Sequence, residues 1–202
     1  MTSLTEREVF ALADRALDAV VAQITDEQWV TPMPESFRTR MIDHTPTLRE
    51  VINYHAYDDA WIPDVLGGRT MAEVGLDAHK GDLLGDTPKA AFRVIVDLAV
   101  AAAAALDDLG RTVHLSYGDY TAQQYLWQAN YFRGTRAYDL ARIIGVDPAL
   151  PDDLVQGLWD EVRPVAEEWR GIGVMGSQVP VADGAPLLDR LLGLIGRAPD
   201  VG

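Results

Sequence analysis

Four long segments of this chain carry apolar residues at helical spacing. The first follows the pattern Ser3-x-x-Glu6, which is typical of a capping box at the start of a helix. Such a stripe has to be buried against another helix. Four of them predict an all-α fold, an up-down four-helix bundle with long crossings between the helices. The stripe of the first segment comprises Val9, Phe10, Ala13, Leu17, Val20, Val21 and Ile24.

Start and stop signals bound the other three segments. Thr47-x-x-Glu50 opens a second helix that runs to about Trp61 and ends near Pro63. Asp86-Thr87-Pro88 supplies a cap and a first-turn proline for a third helix, which Gly110 ends. Thr121-x-x-Gln124 caps a fourth helix, which ends at Gly145. The predicted buried stripe of the third helix is Phe92, Ile95, Leu98, Ala102, Leu106 and Leu109.

The remaining segments are shorter. Thr112–Tyr120, between the third and fourth helices, is expected to be an extended, strand-like link. Asp152–Trp169 predicts a fifth helix with a break at Pro164, because proline cannot donate the helical hydrogen bond. Leu187–Ile195 predicts a short last helix. Together these features predict a single domain over residues 1–202, with a bundle core at about 3–145 and a C-terminal helical appendage at about 146–202.

Composition narrows the range of partners. The formal net charge is −14, from 31 acidic and 17 basic residues, which argues against nucleic acid and against an anionic membrane surface. Cysteine is absent, so the chain itself can supply no disulfide, thiolate nucleophile or cysteine metal ligand. The N-terminal residues are acidic and amphipathic, so we expect no signal peptide, and the longest apolar run, Leu98–Leu106, is too short to span a bilayer. We expect a soluble cytoplasmic protein.

The segment Tyr125–Gly145, YLWQANYFRGTRAYDLARIIG, carries a family resemblance. It resembles the fourth bundle helix of the DinB-like superfamily, in particular the actinobacterial mycothiol-dependent maleylpyruvate isomerases and their metal-binding relatives. The retained frame is Tyr138, Asp139, Leu140, Ala141, Arg142 and Gly145. The resemblance extends over roughly residues 5–200, including Asn53–Trp61, residues 81–88 and residues 191–197.

The resemblance implies three ligands for a divalent metal, and this chain departs from the pattern at all three. The ligand positions hold Tyr54, Phe132 and Arg136. Phenylalanine cannot coordinate a cation, and arginine stays protonated. The neighbouring His55 is turned by about 100° along the helix, and neither His44, His79 nor His114 has another histidine at helical spacing. We therefore predict no transition metal at this position and no cofactor.

The exchanged residues predict a different chemistry in the bundle cavity. Tyr54 and Arg136 are expected to face one cavity, with Asp58 one turn from Tyr54. Arg136 would hold a carboxylate or enolate oxygen, Tyr54 would donate a proton and Asp58 would act as a base. Alternatively, Arg136 pairs with Asp58 or Asp59 and fills a dead site. The predicted substrate-binding residues are Phe132, Tyr57, Trp61 and His55.

Three functions follow from these expectations. The first is a metal-independent isomerase or cyclase acting on a small, anionic or polyketide-like molecule in actinobacterial specialised metabolism. The second is the thiol chemistry that the resemblance implies, with a bound metal and mycothiol. The third is a non-catalytic small-molecule binding protein. Aromatic residues such as Tyr125, Trp127 and Tyr131 either form core or line the pocket, and a homodimer is possible.

Overall fold

The computed structural model describes residues 4–38, 43–148 and 150–198, and these residues are largely helical. The predicted domain ends, residues 1–3 and 199–202, lie outside the described residues. The helices are α1 (Glu6–Val21), α2 (Leu48–Ala60), α3 (Ile62–Leu66), α4 (Met71–Val74), α5 (Pro88–Ala105), α6 (Ala122–Ile144), α7 (Asp152–Val162), α8 (Ala166–Gly171) and α9 (Leu187–Leu194). The all-α class is confirmed.

Capping boxes open several of these helices. The capping boxes predicted at Thr47 and Thr121 are both present. Each threonine hydroxyl accepts from the backbone N–H three residues later, and the side chain of that later residue accepts from the threonine backbone N–H. The box predicted at Ser3 is wrong: α1 begins after Thr5, which pairs with Glu8. Both patterns fit the sequence, and Ser3 lies outside the described residues.

The four long helices share one apolar interior. α1 packs along both α5 and α6, and α2 packs along α5. Leu17 of α1, Ile52 of α2 and Phe92 of α5 are fully buried in the same cluster. α2 and α6 do not make comparably close backbone contact over the described residues, so large side chains and cavities lie between them.

The buried face of α5 differs from the predicted stripe. Phe92 and Leu106 are buried as predicted, but Leu98 is 60% exposed. The interior instead receives Val96, Ala99 and Ala103. The prediction was wrong because this helix is apolar on nearly every side, so its residue pattern marks no single face.

The predicted strand-like link is a β-hairpin. Strand β1 (Thr112–Leu115) pairs antiparallel with strand β2 (Gly118–Thr121). The register places His114 directly opposite Asp119. The hairpin leads straight into α6, and Tyr117 in its turn donates a hydrogen bond to Gln128 of that helix.

The C-terminal part packs back on the long helices. The predicted break at Pro164 is confirmed, since α7 ends at Val162 and α8 starts at Ala166. α7 lies close against α1, where a Cβ on Gly157 would come within 2.5 Å of Val9 Cγ2. The final helix α9 packs on α7. Among the described residues, no helix combines the length and apolarity needed to cross a bilayer.

Candidate functional site

A cavity of about 450 Å³ opens between α2, α6 and the β-hairpin. We call it the first cavity. Its walls are mostly aromatic and aliphatic, with a few polar side chains, which is the usual make-up of a small-molecule site. It is lined by Tyr54, Tyr57, Asp58, Trp61, Val65, Met71, His114, Leu115, Ser116, Tyr117, Tyr125, Gln128, Ala129, Phe132, Arg133 and Val174.

Five of the residues predicted for the site meet in the first cavity: Tyr54, Tyr57, Asp58, Trp61 and Phe132. On α2 the ring centroids of Tyr54 and Tyr57 lie 6.4 Å apart. Those of Tyr57 and Trp61 lie 6.3 Å apart, edge to face. These aromatic side chains form a continuous wall, so the aromatic-pocket interpretation holds for this part of the molecule.

Asp58 is the acidic group of the first cavity. Its side chain is 34% exposed, and its Oδ2 lies 3.8 Å from Nη1 of Arg133. Burial raises the pKa of Asp58 to about 6, while Arg133 opposes the rise and the Asp59 carboxylate adds to it. A carboxyl with this pKa exchanges its proton near neutral pH, as a general acid or base requires.

Two tyrosine hydroxyls of the first cavity stay protonated. Burial raises the pKa of Tyr54 to about 12, and the nearby Asp58 carboxylate adds to the rise. Tyr117 lines the same cavity and is 61% exposed. The Tyr117 hydroxyl donates to Oε1 of Gln128 at 2.9 Å. Both groups are therefore hydrogen-bond donors at neutral pH.

The hairpin supplies a histidine–carboxylate pair. His114 Nδ1 lies 2.8 Å from Asp119 Oδ1 across the two strands. Hydrogen bonding at Nδ1 fixes the imidazole orientation and leaves Nε2 as the second nitrogen. His114 lines the first cavity, so its imidazole shares the cavity with Asp58, while Asp119 is not part of the lining. The sequence shows only two polar residues five positions apart, and their pairing depends on the unpredicted turn between them.

Arg133 was not predicted, and it is the cation nearest the acidic residues of α2. Its Nη2 lies 2.5 Å from Asp59 Oδ1, and its Nε lies 3.3 Å from Asp14 Oδ1 of α1. Together with the longer contact to Asp58, one guanidinium faces three carboxyls. Burial raises the pKa of Asp14 well above its usual range, and the neighbouring Asp59 carboxylate adds to this rise. The sequence does indicate a buried acidic residue here, because Asp14 lies within the apolar stripe of α1.

Arg136 does not lie in the first cavity. It lines a second cavity that does not include Tyr54, so the prediction that Arg136 shares a cavity with Tyr54 is wrong. Its guanidinium carbon lies 4.1 Å from the ring centroid of Phe37. The alternative pairing with Asp58 or Asp59 is also wrong, because Arg133 takes that place. The two arginines are three positions apart and so point about 60° apart around the helix axis, and they line different cavities.

His55 lies in the interior rather than in either cavity. Its residue exposure is 4%, and burial lowers its pKa well below the usual range, with Arg133 and Arg136 acting in the same direction. It is therefore neutral at physiological pH. The structure does not bring His55 to the predicted substrate site.

The implied metal positions are split between the cavities. Tyr54 and Phe132 line the first cavity, whereas Arg136 lines the second. Within residues 4–38, 43–148 and 150–198, no group of three His, Asp or Glu side chains is arranged to hold a metal ion. The donor chemistry of these three positions does not fit a divalent metal.

Comparisons with protein-family models, with curated proteins and with solved structures found no match for this chain. The functional interpretation therefore rests on the geometry of the two cavities.

Proposed function

We propose that the protein is a metal-independent enzyme that transfers protons on a small organic molecule, as an isomerase or cyclase does. The observation that carries this proposal is the first cavity, which brings Asp58 and His114, the latter paired with Asp119, to one aromatic-walled space. Titratable groups in different surroundings within one cavity are the usual arrangement for acid–base catalysis.

The chemistry divides between these groups. The Asp58 carboxylate takes a proton from an acidic C–H or O–H group of the substrate. Tyr54 or His114 supplies a proton at a second position and stabilises the oxygen that gains negative charge. An isomerisation of this kind moves a proton within the substrate, so it consumes no oxidant, reductant or thiol. The aromatic wall favours a flat, aromatic or polyketide-like body.

The proposal includes the fold relationship. Four long helices, of which α6 carries the Tyr138-Asp139-Leu140-Ala141-Arg142 frame, support a DinB-like four-helix bundle. This proposed relationship implies a role in the cytoplasmic metabolism of an actinobacterium. The thiol-dependent reaction of the similar isomerases needs a metal to activate the thiol, and the donor chemistry at the three implied ligand positions does not supply one.

A non-catalytic binding protein is the second candidate. It is favoured by the predominance of aromatic and aliphatic residues in the first cavity, since such walls bind a ligand without any proton transfer. The two candidates differ in what Asp58 does. A binding protein needs only the shape of the Asp58 side chain, whereas an enzyme needs the Asp58 carboxylate to take a proton.

Proton exchange in D₂O tests the proposal without knowledge of the natural substrate. Bicyclic aromatic ketones, led by 2-tetralone, are incubated with the protein, and loss of the α-proton signals is followed by NMR. We expect exchange above the buffer rate, a loss of about a hundredfold in Asp58→Asn, and no change after dialysis against EDTA. The matched control is Asp77→Asn, a surface carboxylate paired with Lys80.

Three outcomes oppose the proposal. Equal exchange by wild type and Asp58→Asn would remove Asp58 from the chemistry. Loss of exchange on EDTA treatment would return a metal to the reaction. Binding of the ketones without any exchange by the wild type would favour the binding protein.

A further inference from the structure

The second cavity has a volume of about 900 Å³ and lies between α6, the turn Glu35–Phe37 and the C-terminal segment. The proposed acid–base chemistry makes no use of it. Its side chains differ in charge from those of the first cavity. It is lined by Ser36, Phe37, Tyr131, Phe132, Thr135, Arg136, Tyr138, Asp139, Arg142, Ile143, Val174, Gly176, Ile195, Gly196, Arg197 and Ala198.

Positive charge dominates this cavity. Among the residues that the structure describes, it is lined by the arginines Arg136, Arg142 and Arg197 and by one carboxylate, that of Asp139. Both Asp139 oxygens accept hydrogen bonds from Arg197, at 2.8 and 2.7 Å. Arg142 Nη1 lies 3.2 Å from the Tyr138 hydroxyl. The Asp139 carboxylate is thus engaged by Arg197 rather than by Arg136.

Arg136 is the arginine with capacity for an anion. It packs on the Phe37 ring and makes no hydrogen bond or ion pair with any residue that the structure describes. Burial lowers the pKa of Arg136, and Arg197 and Arg133 act in the same direction, while Asp139 opposes them. A half-buried guanidinium with five donors gains a charge-assisted hydrogen bond when an anion binds to it.

The two cavities share a wall. Phe132 and Val174 line both of them, and each is unusually exposed for an apolar side chain, at 44% and 38%. Apolar side chains exposed between two cavities offer a contact surface for the apolar body of one ligand. An acidic cavity with an aromatic wall and a basic cavity therefore adjoin across Phe132.

We propose that the second cavity is a carboxylate-binding subsite, in which Arg136 holds the acid group of a ligand whose apolar body crosses Phe132 into the first cavity. The ligand is then an organic acid with an aromatic or polyketide-like body. The part of this inference that concerns the first cavity rests on the proposed function. The anion site at Arg136 stands on its own residues.

Matched probes test the subsite. Dissociation constants are measured by calorimetry for 6-phenylhexanoate, for the neutral 6-phenylhexanamide and for the monophosphate of 6-phenylhexanol. We expect the carboxylate to bind about tenfold more tightly than the amide, since the charge-assisted bond to a guanidinium is the only difference. Arg136→Gln should abolish that preference, chiefly by weakening the binding of the carboxylate. The control is Arg163→Gln, an exposed arginine that lines neither cavity.

The results separate the two proposals. No preference for the carboxylate, or a preference that survives Arg136→Gln, overturns the subsite. Tighter binding of the phosphate monoester, dependent on Arg136, overturns the choice of carboxylate. A further result is a carboxylate preference that depends on Arg136, while binding shifts neither the Tyr54 nor the Tyr117 ring signals in the NMR spectrum. That result overturns the claim that the ligand reaches the first cavity. Loss of the D₂O exchange activity alone, with the carboxylate preference intact, opposes only the proposed function.

Discussion

Arg133 and Arg136 lie one turn apart on the same helix, yet their surroundings are opposite. Arg133 is 4% exposed in its side chain and contacts the carboxyls of Asp14, Asp58 and Asp59. Arg136 packs on Phe37 and has no acidic partner among the described residues. The same residue type therefore neutralises buried charge at one position and remains available to a ligand at the other.

The difference bears on function because it locates the free positive charge. In the first cavity the Arg133 charge is taken by Asp59, so that cavity offers a ligand an acid rather than a cation. In the second cavity Arg197 is hydrogen-bonded to the carboxylate of Asp139, and Arg136 has no carboxylate partner among the described residues. We expect loss of Arg133 to weaken the fold and loss of Arg136 to weaken binding.

Replacement of Arg133 should have the largest effect. Arg133→Gln leaves the fully buried Asp59 without its cation, and breaking a buried ion pair from one side costs about 3–5 kcal/mol of folding free energy. Urea denaturation measures the loss. Arg136→Gln is the matched control on the same helix, and we expect it to change stability by less than about 1 kcal/mol. A similar loss in both variants would erase the distinction between the two arginines.

A buried carboxyl with no cation should make stability fall as pH rises. Burial raises the pKa of Glu161 to about 8, although Asn130 donates to both of its oxygens at 2.9 Å. Because the folded pKa lies above the usual 4.5, the native state holds the proton more tightly, and stability is lost between about pH 4.5 and 8. Glu161→Gln should therefore be more stable than wild type by about 3 kcal/mol at pH 7, and by less than about 1 kcal/mol at pH 5.

Urea denaturation at both pH values checks this prediction. Glu168→Gln, an exposed carboxylate nearby in sequence, is the control and should show no such difference. Equal stability of Glu161→Gln and wild type at pH 7 would mean that the carboxyl ionises there without penalty.

Replacement of the two acidic residues closest to Arg133 should have smaller effects on the free energy of unfolding, and the two effects should differ. Asp59 accepts a charge-assisted hydrogen bond from Arg133 Nε at 2.7 Å, so Asp59→Asn should cost about 2 kcal/mol. Burial raises the pKa of Asp14 well above its usual range, and a protonated carboxyl resembles an amide. Asp14→Asn should therefore cost less than about 1 kcal/mol at pH 7. The reverse order in urea denaturation would mean that Asp14, not Asp59, carries the charge paired with Arg133.

The sequence predicted local features well because local chemistry determines them. Thr47 and Thr121 start their helices through bonds to residues three positions on, and Pro164 breaks a helix because it follows the first turn and cannot donate the helical hydrogen bond. The class of the fold and the aromatic wall of α2 follow from such signals. The stripe of α5 was mispredicted because alanine and valine on all sides give the interior no preferred face.

The site was only partly predictable, since it depends on distant contacts. Tyr54, Tyr57, Asp58 and Trp61 share a face of one helix, and their spacing shows it. The choice between Arg133 and Arg136 depends on where Asp14 of α1 lies, which no spacing within α6 reveals. The assignment of Arg136 to the Tyr54 cavity came from the resemblance, and the structure contradicts it because Arg136 lines the second cavity.

The most direct test of the account is the titration of Asp58 in the folded protein. ¹³C NMR of aspartate labelled at the carboxyl carbon, with Asp58→Asn to assign the signal, gives the midpoint. We predict a midpoint near pH 6, which leaves a carboxyl able to exchange protons with a substrate at neutral pH. A midpoint near the usual 3.8 would contradict the account, because Asp58 would then be an ordinary solvated carboxylate.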